Sequence, residues 1–157
     1  MSQEYVDNYI KSKTATLPTL SFSTITKKEY TKGRELENIS EKELQRIADA
    51  ICCEFSVPTI LINFKDRQPH KSDGKKITEK TQGIYQRTNF GNEKITVYKY
   101  TASRKQQRSP KGAISTLVHE LCHYFDFRVI GLTRSPHTGN KDHGFYGRIR
   151  QLTDMLS

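Results

Sequence analysis

The sequence predicts an α+β domain in which a short mixed sheet packs against one helix that precedes it and two helices that follow it. Three observations predict this class. A capped, apolar-periodic run occupies residues 40–55, three short β-branched or aromatic runs lie between residues 59 and 100, and two longer helical stripes fill most of residues 113–156. At 157 residues the chain is long enough for a single core, though a polar one, with 34% hydrophobic residues and no tryptophan.

Residues 1–38 are rich in Ser, Thr, Lys and Tyr, and their apolar residues Leu17, Leu20, Phe22 and Ile25 follow no sustained period. They read as a polar lead-in, extended or only partly ordered, to a domain of residues 39–157. The run NISEKELQRIADAICCEF opens on Ser40 and Glu43, a capping box, with Ile39 and Leu44 spaced as a hydrophobic staple. Leu44, Ile47, Ala48, Ile51, Cys52 and Phe55 then recur at helical spacing, giving a helix with one buried face. Val57-Pro58 ends it, and TILINF reads as a strand buried on both faces. The charged run KDRQPHKSDGKKITEK, with Pro69 and Asp73-Gly74, reads as a solvated excursion in which His70 is exposed.

GIYQR and KITVYKY flank the turn-like NFGNE and predict a hairpin. Ile95 and Val97 share one face of the second strand while Thr96, Tyr98 and Tyr100 share the other, a pattern expected near a sheet edge. TASRKQQRSPKG reads as a basic loop. Pro110 and Gly112 precede AISTLVHELCHYFDFRVIGL, a long helix ending near Gly131. After the polar loop TRSPHTGNKDH, a last helix carries the stripe Phe145, Ile149, Leu152 and Leu156.

The long helix holds the pattern that carries chemistry. Ile114, Leu117, Val118, Leu121 and Phe125 fall on one side, and His119 and His123 fall opposite, one turn apart. Two imidazoles at that spacing can bind one metal ion, and Glu120 beside the first can reach a bound water without becoming a ligand. Zinc lowers the pKa of such a water towards 7, and Glu120 is the candidate general base that takes its proton and returns it to the departing amine.

A catalytic zinc needs a third protein ligand and an open position. One familiar solution puts a histidine six residues beyond His123 and a glycine midway, but Val129 and Asp126 stand there, and no glutamate follows Glu120. His137, Asp142 and His143 remain. His143, at the mouth of the last helix beside Gly144, is preferred, with His137 second and Asp142 third. Tyr146, off the apolar stripe, is a candidate oxyanion donor or a plain surface tyrosine. Asp126 either orients His123 or is an exposed helical charge. Cys122, beside the apolar stripe, is expected in the core.

The HELCH helix preceded by strands and followed by DHGFYGRI resembles the SprT-like zinc metallopeptidases, among the minimal zincins, over about residues 40–156. The resemblance implies a small zincin-like fold, one zinc ion per chain, and an edge strand above the active-site helix that receives an extended polypeptide substrate. It also implies substrates associated with DNA, as for several members. The chain departs from the family in spacing. There the third histidine usually stands four residues before the first core aromatic of the last helix, whereas His143 stands two before Phe145, so either the loop is shaped differently or His137 serves. No zinc ribbon follows in the sequence. GNKDHGFYG also resembles the GTxDxxYG of the aspzincins, with one residue too many, which keeps Asp142 in view.

The expected function is therefore zinc-dependent hydrolysis of peptide bonds, with the substrate strand added to a sheet edge near KITVYKY. The net charge of +9 favours nucleic acid or another polyanion as a partner through the basic loops KSDGKK and SRKQQRSPKG. The alternatives are a basic nucleic-acid-binding module with a structural zinc, and a zincin-like domain that binds an extended segment without cutting it. Three cysteines, two of them adjacent, argue against a disulfide framework. With neither a secretory leader nor an apolar run long enough to cross a bilayer, the chain is expected to be intracellular, in the cytoplasm or beside DNA in a nucleoid or nucleus, and to have no membrane partner.

Overall fold

Ser40 opens a helix as its position in the sequence requires: its Oγ accepts the Glu43 N–H at 3.2 Å at the start of α3 (Glu41–Glu54). The computed structural model describes residues 2–66, 82–88, 90–100 and 107–157. Over these residues the order is α1 (Gln3–Thr14), α2 (Thr24–Arg34), α3, β1 (Leu61–Lys65), β2 (Gly83–Arg87), β3 (Glu93–Tyr98), α4 (Pro110–Phe125), a π-helical turn (Asp126–Ile130) and α5 (Gly144–Leu156). The class is α+β, with a three-stranded mixed sheet. Among the described residues, no helix is long and apolar enough to cross a membrane. His70, the KSDGKK run and residues 101–106 of the second basic loop lie outside the described residues.

The core is the one the periodicities select. Leu44, Ile47, Ala48, Ile51 and Cys52 of α3 meet Ile114, Leu117, Val118, Leu121 and Phe125 of α4, and Phe145, Leu152 and Leu156 of α5 join the same cluster. Cys122 is buried there as well. Burying one such aliphatic side chain stabilises the fold by about 1.5–3 kcal/mol.

The sheet differs from expectation in two ways. Strand order is β1-β3-β2, with β1 parallel and β2 antiparallel to β3, so KITVYKY supplies the central strand and no edge. Its run of three buried residues, Ile95, Thr96 and Val97, fits a strand with neighbours on both sides. In β1, Ile62 and Phe64 are buried while Leu61 is 58% exposed. This strand is therefore buried on one face, because the helices cover only one side of the sheet there.

The outer edge of β1 is closed by α3. Gln45 Oε1 accepts the Ile62 N–H and Glu41 Oε2 accepts the Phe64 N–H, both at 2.8 Å, and Gln45 Nε2 donates to the Ile60 carbonyl. The GIYQR strand, β2, keeps the other edge.

Residues 2–38 are not an extended lead-in: they form two docked helices. The residues that α1 buries are Asn8 and Ser12, one turn apart and both polar. Asn8 Nδ2 donates to Thr133 Oγ1 at 2.9 Å, and its Oδ1 accepts the Thr133 N–H at 3.0 Å. A helix held by a polar face has no apolar period to find, which is why the sequence pattern misses it. In α2, Gly33 sits so close to α3 and α4 that a Cβ there would lie 2.7 Å from Ile47 Cδ1 and 3.1 Å from Ile114 Cδ1. Leu17 and Phe22, between the two helices, are core residues.

Candidate metal centre

Helical spacing places His119 and His123 one turn apart on α4, and the loop between the π-helical turn and α5 brings His137 to them. The His137 Nε2 atom lies 3.3 Å from His119 Nε2 and 2.9 Å from His123 Nε2. Among the described residues, these three histidines form the only group of His, Cys, Asp or Glu side chains able to hold one metal ion.

The third position is a correction to the sequence reading, which preferred His143. That residue is the exposed N-cap of α5, and its backbone makes a two-way bridge with Asn140. The loop doubles back tightly between His137 and α5. A Cβ on Gly139 would lie 2.1 Å from the His143 carbonyl oxygen, and one on Gly144 would lie 2.7 Å from the Thr138 carbonyl oxygen. Both glycines adopt the positive φ that this path needs, 75° and 72°. The fold thus separates His137 and His143 to opposite ends of a tight loop. Asp142, the third candidate, is exposed and pairs with Arg150 at 3.3 Å.

Hydrogen bonding sets the tautomer of His123. Ser135 Oγ donates to Asp126 Oδ2 at 2.7 Å and lies 2.6 Å from His123 Nδ1. The serine has one proton and the carboxylate takes it, so Nδ1–H must donate to Ser135, and Nε2 carries a lone pair into the histidine group. This is the arrangement a metal-binding imidazole requires. Three nitrogens about 2.0–2.1 Å from one tetrahedral ion stand roughly 3.3–3.4 Å apart, close to the separations found. The donor set therefore fits zinc.

All three imidazoles are biased towards the neutral form. Burial pushes His123 down to about 3, helped by His119, His137 and Arg148. Burial also lowers His119, with His137 contributing, and lowers His137. Removing water from a charged imidazole disfavours the charge, and a neutral ring is the one that ligates.

Glu120 is buried beside them, its Oε1 4.0 Å from His119 Nε2. With His119 neutral this contact is not an ion pair. Burial raises the Glu120 carboxyl to about 7, against the opposing effect of the Tyr85 backbone N–H that bonds it. A carboxyl poised there suits both proton acceptance and return. Gly83 lets β2 come this close, since a Cβ there would lie 2.5 Å from Thr116 Cγ2 and 3.3 Å from Glu120 Cγ.

Asp126 is fully buried and is no exposed helical charge. Arg148 grips it with Nε to Oδ1 at 2.7 Å and Nη2 to Oδ2 at 2.9 Å. The same guanidinium donates to the Ser12 and Ala15 carbonyls at 2.6 and 2.9 Å and to Ser12 Oγ at 3.0 Å. Ser12 Oγ in turn lies 2.7 Å from Thr138 Oγ1, next to His137. One polar network thus joins α1, α5 and the loop to the histidines. The sequence did offer a signal for Arg148: a basic residue three after Phe145 and four before Leu152 falls on the apolar stripe. Ser135 and Ser12 had none.

Phe145 stacks on His123, with ring centroids 4.3 Å apart, and meets His119 edge-on at 5.0 Å. Tyr146 is 40% exposed, with its ring centroid 5.9 Å from that of His137. His123, His137 and Glu120 open onto a cleft of about 540 Å³ lined by residues of β2, by Phe127 and by residues 132–135. Compared with family models, curated proteins and solved structures, the chain shows no significant match.

Proposed function

We propose that the chain is a zinc-dependent metallopeptidase of the HExxH class, of the SprT-like kind, with His119, His123 and His137 as ligands and Glu120 as general base and acid. The observation that carries this reading is the convergence of three Nε2 atoms beside a buried carboxyl at the floor of an open cleft. A bound zinc would supply Lewis acidity, making a water acidic near neutral pH and polarising a carbonyl. Glu120 takes a proton from the attacking water at a carboxylate oxygen and gives it to the departing amine nitrogen. Tyr146, whose ring lies beside that of His137, would donate its hydroxyl proton as a hydrogen bond to the developing oxyanion. An extended polypeptide reaches the site along β2, the edge that α3 does not close.

The net charge of +9 supports substrates bound to nucleic acid. It also favours a second reading, a nucleic-acid-binding module with structural zinc. Such a zinc is closed by four protein ligands, whereas among the described residues three converge beside an open cleft.

The test is zinc content and peptide hydrolysis of the purified protein and its variants. Wild type and His143→Ala should each carry about one zinc per chain, and His137→Ala should lose it. Glu120→Gln should keep the metal and lose hydrolysis. Zinc-loaded wild type that binds DNA but cuts no peptide would favour the structural-zinc module.

A further inference from the structure

We infer that the cleft selects an acidic side chain of its extended polypeptide, recognised by Arg87 and Arg134 about two residues along from the point that faces the Glu120 carboxyl. The inference rests on the peptidase reading of the same site.

The backbone of β2 fixes the place. Tyr98 N–H donates to the Gln82 carbonyl and Thr88 N–H donates to the Asn92 carbonyl, so even-numbered residues of this strand turn their main-chain groups to β3. Gly83, Tyr85 and Arg87 turn theirs outward. The Tyr85 N–H follows this rule, since it bonds the Glu120 carboxyl. An incoming strand would pair with those outward groups that Glu120 does not take. Tyr85 marks the catalytic end, since its N–H bonds the Glu120 carboxyl, with Gly83 packed beside the stem of that side chain. Arg87 lies two residues on, about 7 Å at the usual strand rise, and its side chain shares the face of Tyr85.

Arg87 is positioned and not neutralised by its neighbour across the sheet. That neighbour is Glu93, whose carboxylate is held by Arg128 and by the Tyr85 hydroxyl. The Arg87 guanidinium lies 3.7 Å from the centre of the Phe127 ring, and Nη2 donates to the Thr133 carbonyl at 2.7 Å. These contacts fix its plane in advance, and a guanidinium has five N–H groups to share with a carboxylate. Arg134 lines the same cleft, and Glu120, at its catalytic end, is the one acid among the described residues that line it. Phe127 offers apolar surface to the stem of a substrate side chain. A glutamate or aspartate opposite Arg87 gains an opposite-charge cross-strand partner, whereas a lysine there meets two guanidinium groups.

The experiment uses ten-residue peptides in which glutamate, alanine or lysine is moved through each position. Binding is measured by fluorescence anisotropy on zinc-loaded Glu120→Gln protein, and cleavage is measured on zinc-loaded wild type. Exchange of glutamate for lysine at one position, two residues from the bond cut, should weaken binding about tenfold, with the difference shrinking as salt is added. Arg87→Glu should invert the preference, and Arg134→Glu, on an exposed loop, should reduce it if Arg87→Glu fails to fold. Equal binding of the glutamate and lysine peptides at every position, or no binding of any peptide, overturns the inference. Cleavage without acidic preference overturns it and leaves the peptidase reading standing. Acid-selective binding without cleavage overturns the peptidase reading instead.

Discussion

Arg148→Met removes one charge from the interior and leaves another behind. The arginine side chain is 1% exposed and that of Asp126 is fully buried. Five hydrogen bonds disappear with the guanidinium: two to Asp126, two to Ser12 and one to Ala15. Methionine fills a similar volume, so the loss is electrostatic and not a cavity. Asp126 keeps the Ser135 hydroxyl as a donor, and the Ala15 and Ser12 carbonyls lose theirs. Removing one partner of a buried pair costs about 3–5 kcal/mol, because the remaining charge stays desolvated. At about 2–4 °C per kcal/mol for a chain of this size, the melting temperature should fall by roughly 6–20 °C. Urea unfolding followed by circular dichroism gives the free energy directly, and an unchanged m-value shows that the two states are still those compared. Arg150→Met is the control. Its partners Asp142 and Asp154 are more than half exposed, and its loss should stay within about 0.5 kcal/mol. The double variant Asp126→Leu/Arg148→Met should recover part of the stability lost by Arg148→Met alone. A loss below about 1 kcal/mol for Arg148→Met, or equal losses for Arg148→Met and Arg150→Met, would refute the reasoning.

Ser135→Ala breaks the link between Asp126 and His123 without replacing any of the three histidines, and should weaken zinc binding about 10- to 100-fold in a chelator competition while the melting temperature of the zinc-free protein moves little; unchanged affinity would mean that the serine does not orient His123. Acid should destabilise chelator-treated protein: His123 titrates near 3 in the fold against a usual value of 6.5, so the unfolded chain binds its proton first, and stability present above about 6.5 is lost as pH falls. The slope is up to about 1.4 kcal/mol per pH unit per histidine. Glu120 opposes this between about 7 and 4.5 because its folded value is raised, so Glu120→Gln should steepen the loss, and a flat urea midpoint from pH 6.5 to 4 would show that the histidines are not held neutral. Among the cysteines, Cys53 is exposed, Cys52 is buried with its thiol pushed up to about 12, and burial raises Cys122 well above the usual thiol value. Iodoacetamide should label Cys53 alone in the native protein and all three in denaturant, and equal native labelling of Cys122 would contradict its burial.

Helices α3, α4 and α5 are legible because each buries an apolar stripe, and a stripe is a periodic signal that local sequence carries. For the same reason the sequence places His119, Glu120 and His123 together: four residues on one helix fix their geometry before anything else folds. The edge of the sheet is not local. KITVYKY reads as near an edge until β1 pairs with it in parallel on its other side, and GIYQR then becomes the open edge. Helix α1 escapes notice because Asn8 and Ser12 bury hydrogen bonds in place of apolar surface.

The sequence by itself determined the α+β class, the three apolar helices and two of the three converging histidines. Tertiary structure decided the third. His137 and His143 are both histidines in one polar loop, and the tight turn through Gly139 and Gly144 brings one to the pair and leaves the other capping α5. It also decided which acid is internal, since Asp126 acquires its role from Arg148 on one side and Ser135 on the other. Contacts between residues far apart in the chain depend on how loops close, and no spacing in a sequence records that.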